Sequence, residues 1–245
     1  MQIDISEFIR SGFDLKSHLV KYLDLKSEEL DQLLDKGSEK LSSLHPGSID
    51  LDDHGTQAFY EKQVGNNHLF DLASWHLSSN DYIADTLHLQ QMFAHGNVLD
   101  FGGGIGTHAL AAAALPKVKH VYFVDLNPQN RSFVETRAEI LGLSDCISFY
   151  RDLHSISNIK FDTLVCLDVL EHLANPSNTL IEFRNILKPS GIALMNWYFF
   201  KGHNGEFPFH FDDPVLIENF FKTLQSNFIE VFHPYLITTR AYKLI

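Results

Sequence analysis

Val98-Leu-Asp-Phe-Gly-Gly-Gly-Ile-Gly-Thr-His108 carries more information than any other run in this chain. An apolar strand ends at Asp100, a turn with Gly102, Gly104 and Gly106 follows, and Thr107-His-Ala-Leu-Ala-Ala-Ala-Ala-Leu115 then has the composition of a helix. This order sets backbone N–H groups and a helix N-terminus at the carboxyl edge of a strand, where a nucleotide-like ligand binds. Glycine is needed because a Cβ would block the ligand's approach. Gly104-x-Gly106-x-x-Ala109 also satisfies the dinucleotide fingerprint. Asp100 turns the reading toward a sulfonium cofactor, since a carboxylate at that point repels a pyrophosphate and suits the ammonium of an amino-acid moiety.

Beyond Val98 strands alternate with helices, the signature of a parallel sheet with crossover helices. Val98-Leu-Asp100 reads as the first strand and His120-Val-Tyr-Phe-Val-Asp125 as the second, with a helix over Asn127 to Leu141. Cys146-Ile-Ser-Phe-Tyr150 and Phe161-Asp-Thr-Leu-Val-Cys-Leu-Asp168 read as the third and fourth. A helix over Asn178 to Leu187, a turn at Lys188-Pro-Ser-Gly191 and a fifth strand over Ile192-Ala-Leu-Met-Asn-Trp-Tyr198 come next. Leu216 to Asn227 reads as a helix. Phe228-Ile-Glu-Val-Phe-His233 and Leu236-Ile-Thr-Thr-Arg-Ala-Tyr-Lys243 read as a final antiparallel pair, because a short turn containing Pro234 cannot serve a parallel crossover.

Upstream of the glycine turn the periodicity is helical, with Leu19, Val20 and Leu23, then Leu30, Leu33 and Leu34. Ser27 offers an N-cap hydroxyl before Glu28 and Glu29, and Gly37 a stop. His45-Pro-Gly-Ser-Ile-Asp-Leu-Asp-Asp-His-Gly55 is turn-rich and reads as a linker. A second helical region from Phe59 to Phe93 holds Tyr60, His68, Phe70, Trp75, His76, Tyr82 and His88; it leads into the glycine turn and is expected to pack across the ligand's mouth.

The 245 residues suffice for one large α/β domain with an appendage. Cys146 and Cys166 give no disulfide framework and read as reduced thiols. No run of about 18 apolar residues occurs, and the first residues lack a cationic flank before an apolar core, so a soluble cytoplasmic protein away from membranes is expected. Nineteen basic against thirty-one acidic side chains leave a net charge of −12, which opposes the phosphate neutralisation that nucleic-acid binding needs.

Asp125 closes the second strand twenty-three residues after Gly102, where a carboxylate accepts from both ribose hydroxyls of a nucleoside. Asp152, just past the third strand, can accept from an adenine amino group. In this order the motifs resemble the class I S-adenosylmethionine-dependent methyltransferases: Asp-x-Gly-x-Gly-x-Gly, Asp125, Asp152, the run Phe161 to Leu173 with its Asp-Val-Leu-Glu-His, and Leu-Lys-Pro-x-Gly at Leu187 to Gly191. The resemblance spans Val98 to about Lys243. It implies a doubly wound, seven-stranded, mostly parallel sheet, with a helical cap over residues 1–95 and an S-adenosylmethionine-binding methyltransferase domain over 96–245. It also implies that Gly102, Gly104 and Gly106 face the methionine part with Asp100, that Asp125 and Leu126 meet the ribose, that Asp152 and Leu153 meet the adenine, and that Asp168 lies beside the methionine amino group.

Asp168, Glu171 and His172 share one face if a helical turn follows the fourth strand. The Glu-His pair is similar to that of ubiquinone-type O-methyltransferases, and of RNA 2′-O-methyltransferases that hold magnesium with such residues and a later histidine, here His203 or His210. Magnesium prefers oxygen-rich sets, so no metal ligand is assigned, and His172 reads as a general base or acceptor contact. The aromatic run Asn196 to Asp213 suggests a planar or apolar acceptor with His210 as a polar handle. The expected activity is methylation, on oxygen, of a small aromatic or apolar molecule. An RNA 2′-O-methyltransferase and a non-catalytic S-adenosylmethionine-binding protein are the rivals.

Overall fold

A computed structural model describes residues 5–45, 52–232 and 238–245. Its centre is a sheet whose inner strands are buried on both faces and read as nearly continuous apolar runs, as parallel strands covered by helices must. The strands are β1 (Gly96–Phe101), β2 (Val118–Val124), β3 (Ile147–Tyr150), β4 (Phe161–Cys166), β5 (Leu187–Met195), β6 (Phe228–Phe232) and β7 (Arg240–Leu244). They lie in the order β3-β2-β1-β4-β5-β7-β6. Pairs within β1 to β5 are parallel, while β7 runs antiparallel to both β5 and β6. The expected turn carrying Pro234, and Leu236 with it, lies outside the described residues. Strand order reverses between β1 and β4, so a crevice opens at their carboxyl ends.

Successive residues of a strand face opposite sides. Leu99 accordingly joins Phe161, Leu164, Phe183 and Phe220 in one core layer, whereas Val98 joins Val121, Phe123, Val134 and Leu194 in the other. No helix among the described residues is long and apolar enough to cross a membrane.

Among the described residues seven α-helices precede β1: α1 (Ile5–Ser11), α2 (Leu15–Leu23), α3 (Ser27–Asp35), α4 (Gly37–Leu44), α5 (Asp53–Ala58), α6 (Asn67–Ser78) and α7 (Asn80–Phe93). Four flank the sheet: α8 (Thr107–Ala113), α9 (Pro128–Leu141), α10 (Pro176–Ile186) and α11 (Pro214–Asn227). The last three share one start signal. Asn127, Asn175 and Asp213 each accept from a backbone N–H of the first turn, with proline at the first helical position, where no N–H is missed.

Several local expectations change. Ser27 is the first residue inside α3 rather than its cap, since Lys26 carries the extended cap backbone and no side chain caps the helix. Gly37 opens α4 instead of stopping a helix; a Cβ there would lie 2.8 Å from the α6 backbone at Asp71, so the glycine serves close packing. The turn at Lys188–Gly191 survives as an outward excursion inside β5, where Phe161 pairs with Leu187 and Thr163 with Ile192. The fifth strand stops at Met195 and not Tyr198, because the side chain of Asn196 turns back to bond Asp168.

The cap packs on the sheet domain through Leu15, Leu19, Leu30, Leu69 and Phe70, which cluster with Ile105 of the glycine turn and Phe133 of α9. Arg137 of α9 lies at the centre of this contact, fully buried. It donates to Ile105 O at 2.9 Å, Gly12 O at 3.2 Å, Phe13 O at 3.3 Å and His18 Nδ1 at 3.3 Å. Burial lowers His18 to about 4, so the ring is neutral and can accept. One guanidinium thus ties the α1–α2 junction to the turn after β1. Arg137→Met is expected to leave three carbonyls unpaired and cost about 3 kcal/mol in urea unfolding; a variant within about 0.5 kcal/mol of the parent would contradict this bridging role.

Candidate active site

The crevice at the carboxyl ends of the strands is a cavity of about 580 Å³. Its floor is the turn after β1, with Asp100, Gly102, Gly103 and Gly104, and its side is Asp125 and Leu126 at the end of β2. Asp152 and Leu153 follow β3 at one edge; Asp168 and His172 follow β4 at the other. Eight of the nine cofactor residues expected from the sequence therefore line one chamber. Gly106 does not. It caps α8 with φ of +76°, and a Cβ there would strike Val134 of α9 at 2.4 Å, so it serves the packing of two helices.

Asp125 holds the floor in shape. Its Oδ2 accepts from Gly104 N at 2.9 Å, its Oδ1 from Asn127 N at 2.8 Å, and Asn130 Nδ2 reaches both oxygens at 3.2 and 3.3 Å. Burial raises its pKa to about 6 even though these N–H groups and Arg131 favour the anion. Asp100 is more exposed to this penalty. It is 3% accessible, burial and the neighbouring Asp125 push it to about 7, and its Oδ2 has no hydrogen-bond partner among the described residues. Such an orphaned buried oxygen fits a cationic donor from a ligand, as the ammonium of S-adenosylmethionine would be.

Asp168 lies in left-handed backbone, φ 55°, a conformation uncommon outside glycine and tolerated by aspartate. Asn196 locks it there: Asp168 N donates to Asn196 Oδ1 at 2.5 Å, and Asn196 Nδ2 donates to Asp168 Oδ1 at 2.9 Å and to Tyr82 OH at 2.7 Å. Burial lifts Asp168 to about 6. Asp152 lies beside Arg151, whose fork is bidentate to Glu61 at 2.7 and 2.9 Å and also reaches Asp152 Oδ2 at 2.6 Å. This partly exposed ion-pair network joins the cap to the edge where Asp152 sits.

The roof comes from the cap, as expected for the region from Phe59 to Phe93. Tyr60, His68, Leu72, Trp75 and His76 line the cavity. Asp71, not among the residues expected from the sequence, also lines it, and burial raises it to about 6. Its signal was the spacing: residues 68, 72 and 76, and residues 71 and 75, repeat at i, i+4 and so share a helix face.

Glu171 and His172 sit on a single turn of 3-10 helix, Leu170–His172. His172 Nδ1 is 3.2 Å from Tyr60 OH, and burial holds the imidazole well below its ordinary pKa, neutral at physiological pH. His210 does not reach the cavity wall. It stands behind His172, ring centroids 4.7 Å apart, and stacks on Phe207. His203 faces Phe200 farther out and is not part of this cluster.

The acids suggest a stability test. Folded Asp100 keeps its proton up to about pH 7, against about 4 for an unfolded aspartate, so the folded state binds the extra proton between those values and loses stability as pH rises through them. Asp100→Asn is expected to stabilise the ligand-free protein by on the order of 2 kcal/mol at pH 8 and little at pH 4, read by urea unfolding. An equal effect at both pH values would show that Asp100 is not buried in this way.

A protein-family model described as a methyltransferase domain matches residues 75–199. A ubiquinone biosynthesis O-methyltransferase of Glaesserella parasuis serovar 5 (strain SH0165) is 29% identical over 105 residues, covering 40% of this chain and 44% of that protein. A tRNA 5-carboxymethoxyuridine methyltransferase of Escherichia coli (strain K12) is 30% identical over 105 residues, covering 41% and 40%. The match spans less than half the length of either relative. Among solved structures, an O-methyltransferase family protein from Burkholderia thailandensis superposes with a TM-score of 0.57 at 13% identity, over 88% of this chain and 70% of that one. The [4+2]-cyclase SpnF superposes with a TM-score of 0.56 at 17% identity, over 76% of both chains. With the family model covering more than half of the chain, and with the sheet order, glycine turn and acidic strand ends in place, this protein belongs to the methyltransferase-domain family.

Proposed function

We propose that the chain transfers the methyl group of S-adenosylmethionine to an oxygen of a small aromatic or apolar acceptor. One observation carries this reading: a single cavity joins the acid-rich floor to a wall made of Tyr60, Leu72, Trp75, His172 and Phe209. The floor suits a cationic cofactor, with Asp100 and Asp168 at its methionine end, Asp125 and Leu126 at the ribose, and Asp152 and Leu153 at the adenine. The wall suits an apolar ring with one polar handle.

The bound cofactor supplies a methyl group activated by the sulfonium. The chain's own residues align donor and acceptor and exclude water, which accounts for most of the acceleration in a direct displacement. The acceptor's hydroxyl must lose one proton, and the neutral nitrogens of His172, with His210 behind it, lie at the acceptor end where that proton leaves.

An RNA acceptor is the second reading, favoured by the tRNA-modifying relative. The net charge of −12 and the acid-lined cavity weigh against a polyanion. The superposable cyclase shows in addition that this fold does not fix the reaction.

Incubation with methyl-labelled S-adenosylmethionine and a panel of phenols and other small hydroxyl compounds, with tRNA as a separate arm, tests the proposal. Label is expected in a small methyl ether, with kcat lowered about 100-fold or more by His172→Gln while S-adenosylhomocysteine affinity stays within about threefold. Label in tRNA alone, or on nitrogen or carbon of the small acceptors, would overturn it.

A further inference from the structure

We propose that the methyl acceptor is a cation: a hydroxyl-bearing aromatic amine whose ammonium group is held by Asp71 of α6. This acceptor class refines the O-methylation reading and rests on it.

Asp71 stands within the wall that faces the acceptor. Leu72 follows it, and Trp75 lies one turn further along the same helix face; all three line the cavity. One turn earlier on α6, His68 meets the Tyr60 ring with centroids 5.5 Å apart, and Tyr60 OH is 3.2 Å from His172 Nδ1. An arc of rings therefore runs from the helix of Asp71 to the turn after β4. An aromatic molecule lying along that arc has an anion near one end and His172 near the other.

The carboxylate of Asp71 has no work inside the protein. Asp125 is held by Gly104, Asn127 and Asn130, Asp168 by Asn196, and Asp152 by Arg151. Asp53 and Glu182 also line the cavity but stay exposed to solvent. Asp71 is half-buried, and no hydrogen bond or ion pair reaches its carboxylate among the described residues. Burial is what raises it to about 6, with no partner to oppose the shift. At neutral pH it is an anion short of both water and a counterion, a state that an incoming cation relieves.

Nothing else in the chamber supplies that cation. Arg151 is the one arginine or lysine lining the cavity among the described residues, and Glu61 and Asp152 already occupy its fork. S-adenosylmethionine brings a carboxylate along with its sulfonium and ammonium, and Asp100 and Asp168 stand at that end. Trp75 offers an aromatic face beside Asp71, which attracts an ammonium further.

The arrangement separates anchoring from reaction. An alkylammonium keeps its proton up to about pH 10, and while protonated it has no lone pair with which to take a methyl group. The hydroxyl is left as the nucleophile. Its oxygen gains the methyl group as the bond from carbon to sulfur breaks, sulfur keeps that electron pair, and the hydroxyl proton passes to a neutral ring nitrogen of His172.

The test is calorimetric titration of the intact chain, saturated with S-adenosylhomocysteine, with three phenols of similar size: tyramine, the neutral para-ethylphenol, and the anionic para-hydroxyphenylpropionate. Tyramine is expected to bind about tenfold or more tighter than para-ethylphenol, and the anion more weakly than either. Asp71→Asn is expected to remove the advantage of tyramine and Asp71→Glu to keep part of it, with S-adenosylhomocysteine affinity within about threefold of the parent in both. No advantage for tyramine in the parent, no binding of any of the three, or an advantage that survives Asp71→Asn overturns the acceptor class. A loss of about tenfold in S-adenosylhomocysteine affinity in Asp71→Asn also overturns it, by placing Asp71 at the cofactor. Methyl transfer on the same samples separates this inference from the reading beneath it. Label on the oxygen of para-ethylphenol with no advantage for tyramine overturns the role of Asp71 and leaves O-methylation standing, whereas selective binding of tyramine with label on a ring carbon supports the ammonium site and overturns O-methylation.

Discussion

The carboxylate of Asp125 is the joint on which the site depends. It ends β2, yet its oxygens hold Gly104 of the neighbouring turn, Asn127 at the start of α9, and Asn130 one turn further on. Asn130 in turn meets His68 of α6 at 3.1 Å, and Asn127 Nδ2 reaches Gly65 O at 3.0 Å. One buried anion therefore fixes the glycine turn, a helix N-terminus and the roof in a single frame. A group bonded this densely has little freedom to move, so the floor keeps its shape before a ligand arrives.

The same burial leaves an electrostatic debt. Asp71, Asp100, Asp125 and Asp168 all face one chamber, and each is raised by removal from water. A ligand carrying a sulfonium and an ammonium relieves that cost, whereas a pyrophosphate would add to it. A preference for S-adenosylmethionine over a dinucleotide is thus expected from charge as much as from loop shape. Arg137 plays the complementary part away from the cavity, where backbone carbonyls instead of carboxylates surround the charge.

The sheet was legible because its signals are local. Apolar runs, the glycine turn and the asparagine-proline and aspartate-proline starts each follow from a few adjacent residues. Asp100, Asp125, Asp152 and Asp168 were legible because each closes or follows a strand, and parallel strands deliver their ends to one edge. What stayed hidden depends on distant partners. Nothing adjacent to Arg137 in sequence reports that Gly12 and Phe13 fold over it, and Gly37 reads as a stop until α6 packs against it. The resemblance offered His203 or His210 as the later histidine beside His172, and only the fold of the loop decides for His210, thirty-eight residues after His172. Gly106 fits the cofactor motif in spacing yet is used for packing against Val134.

Calorimetric titration with S-adenosylhomocysteine, run beside NAD and with Asp125→Ala as the control, addresses the cofactor site directly. Micromolar binding of S-adenosylhomocysteine, no binding of NAD, and a loss of about tenfold or more in the variant are expected. Binding of NAD in its place, or no binding of S-adenosylhomocysteine by the parent chain, would contradict the assignment of this cavity.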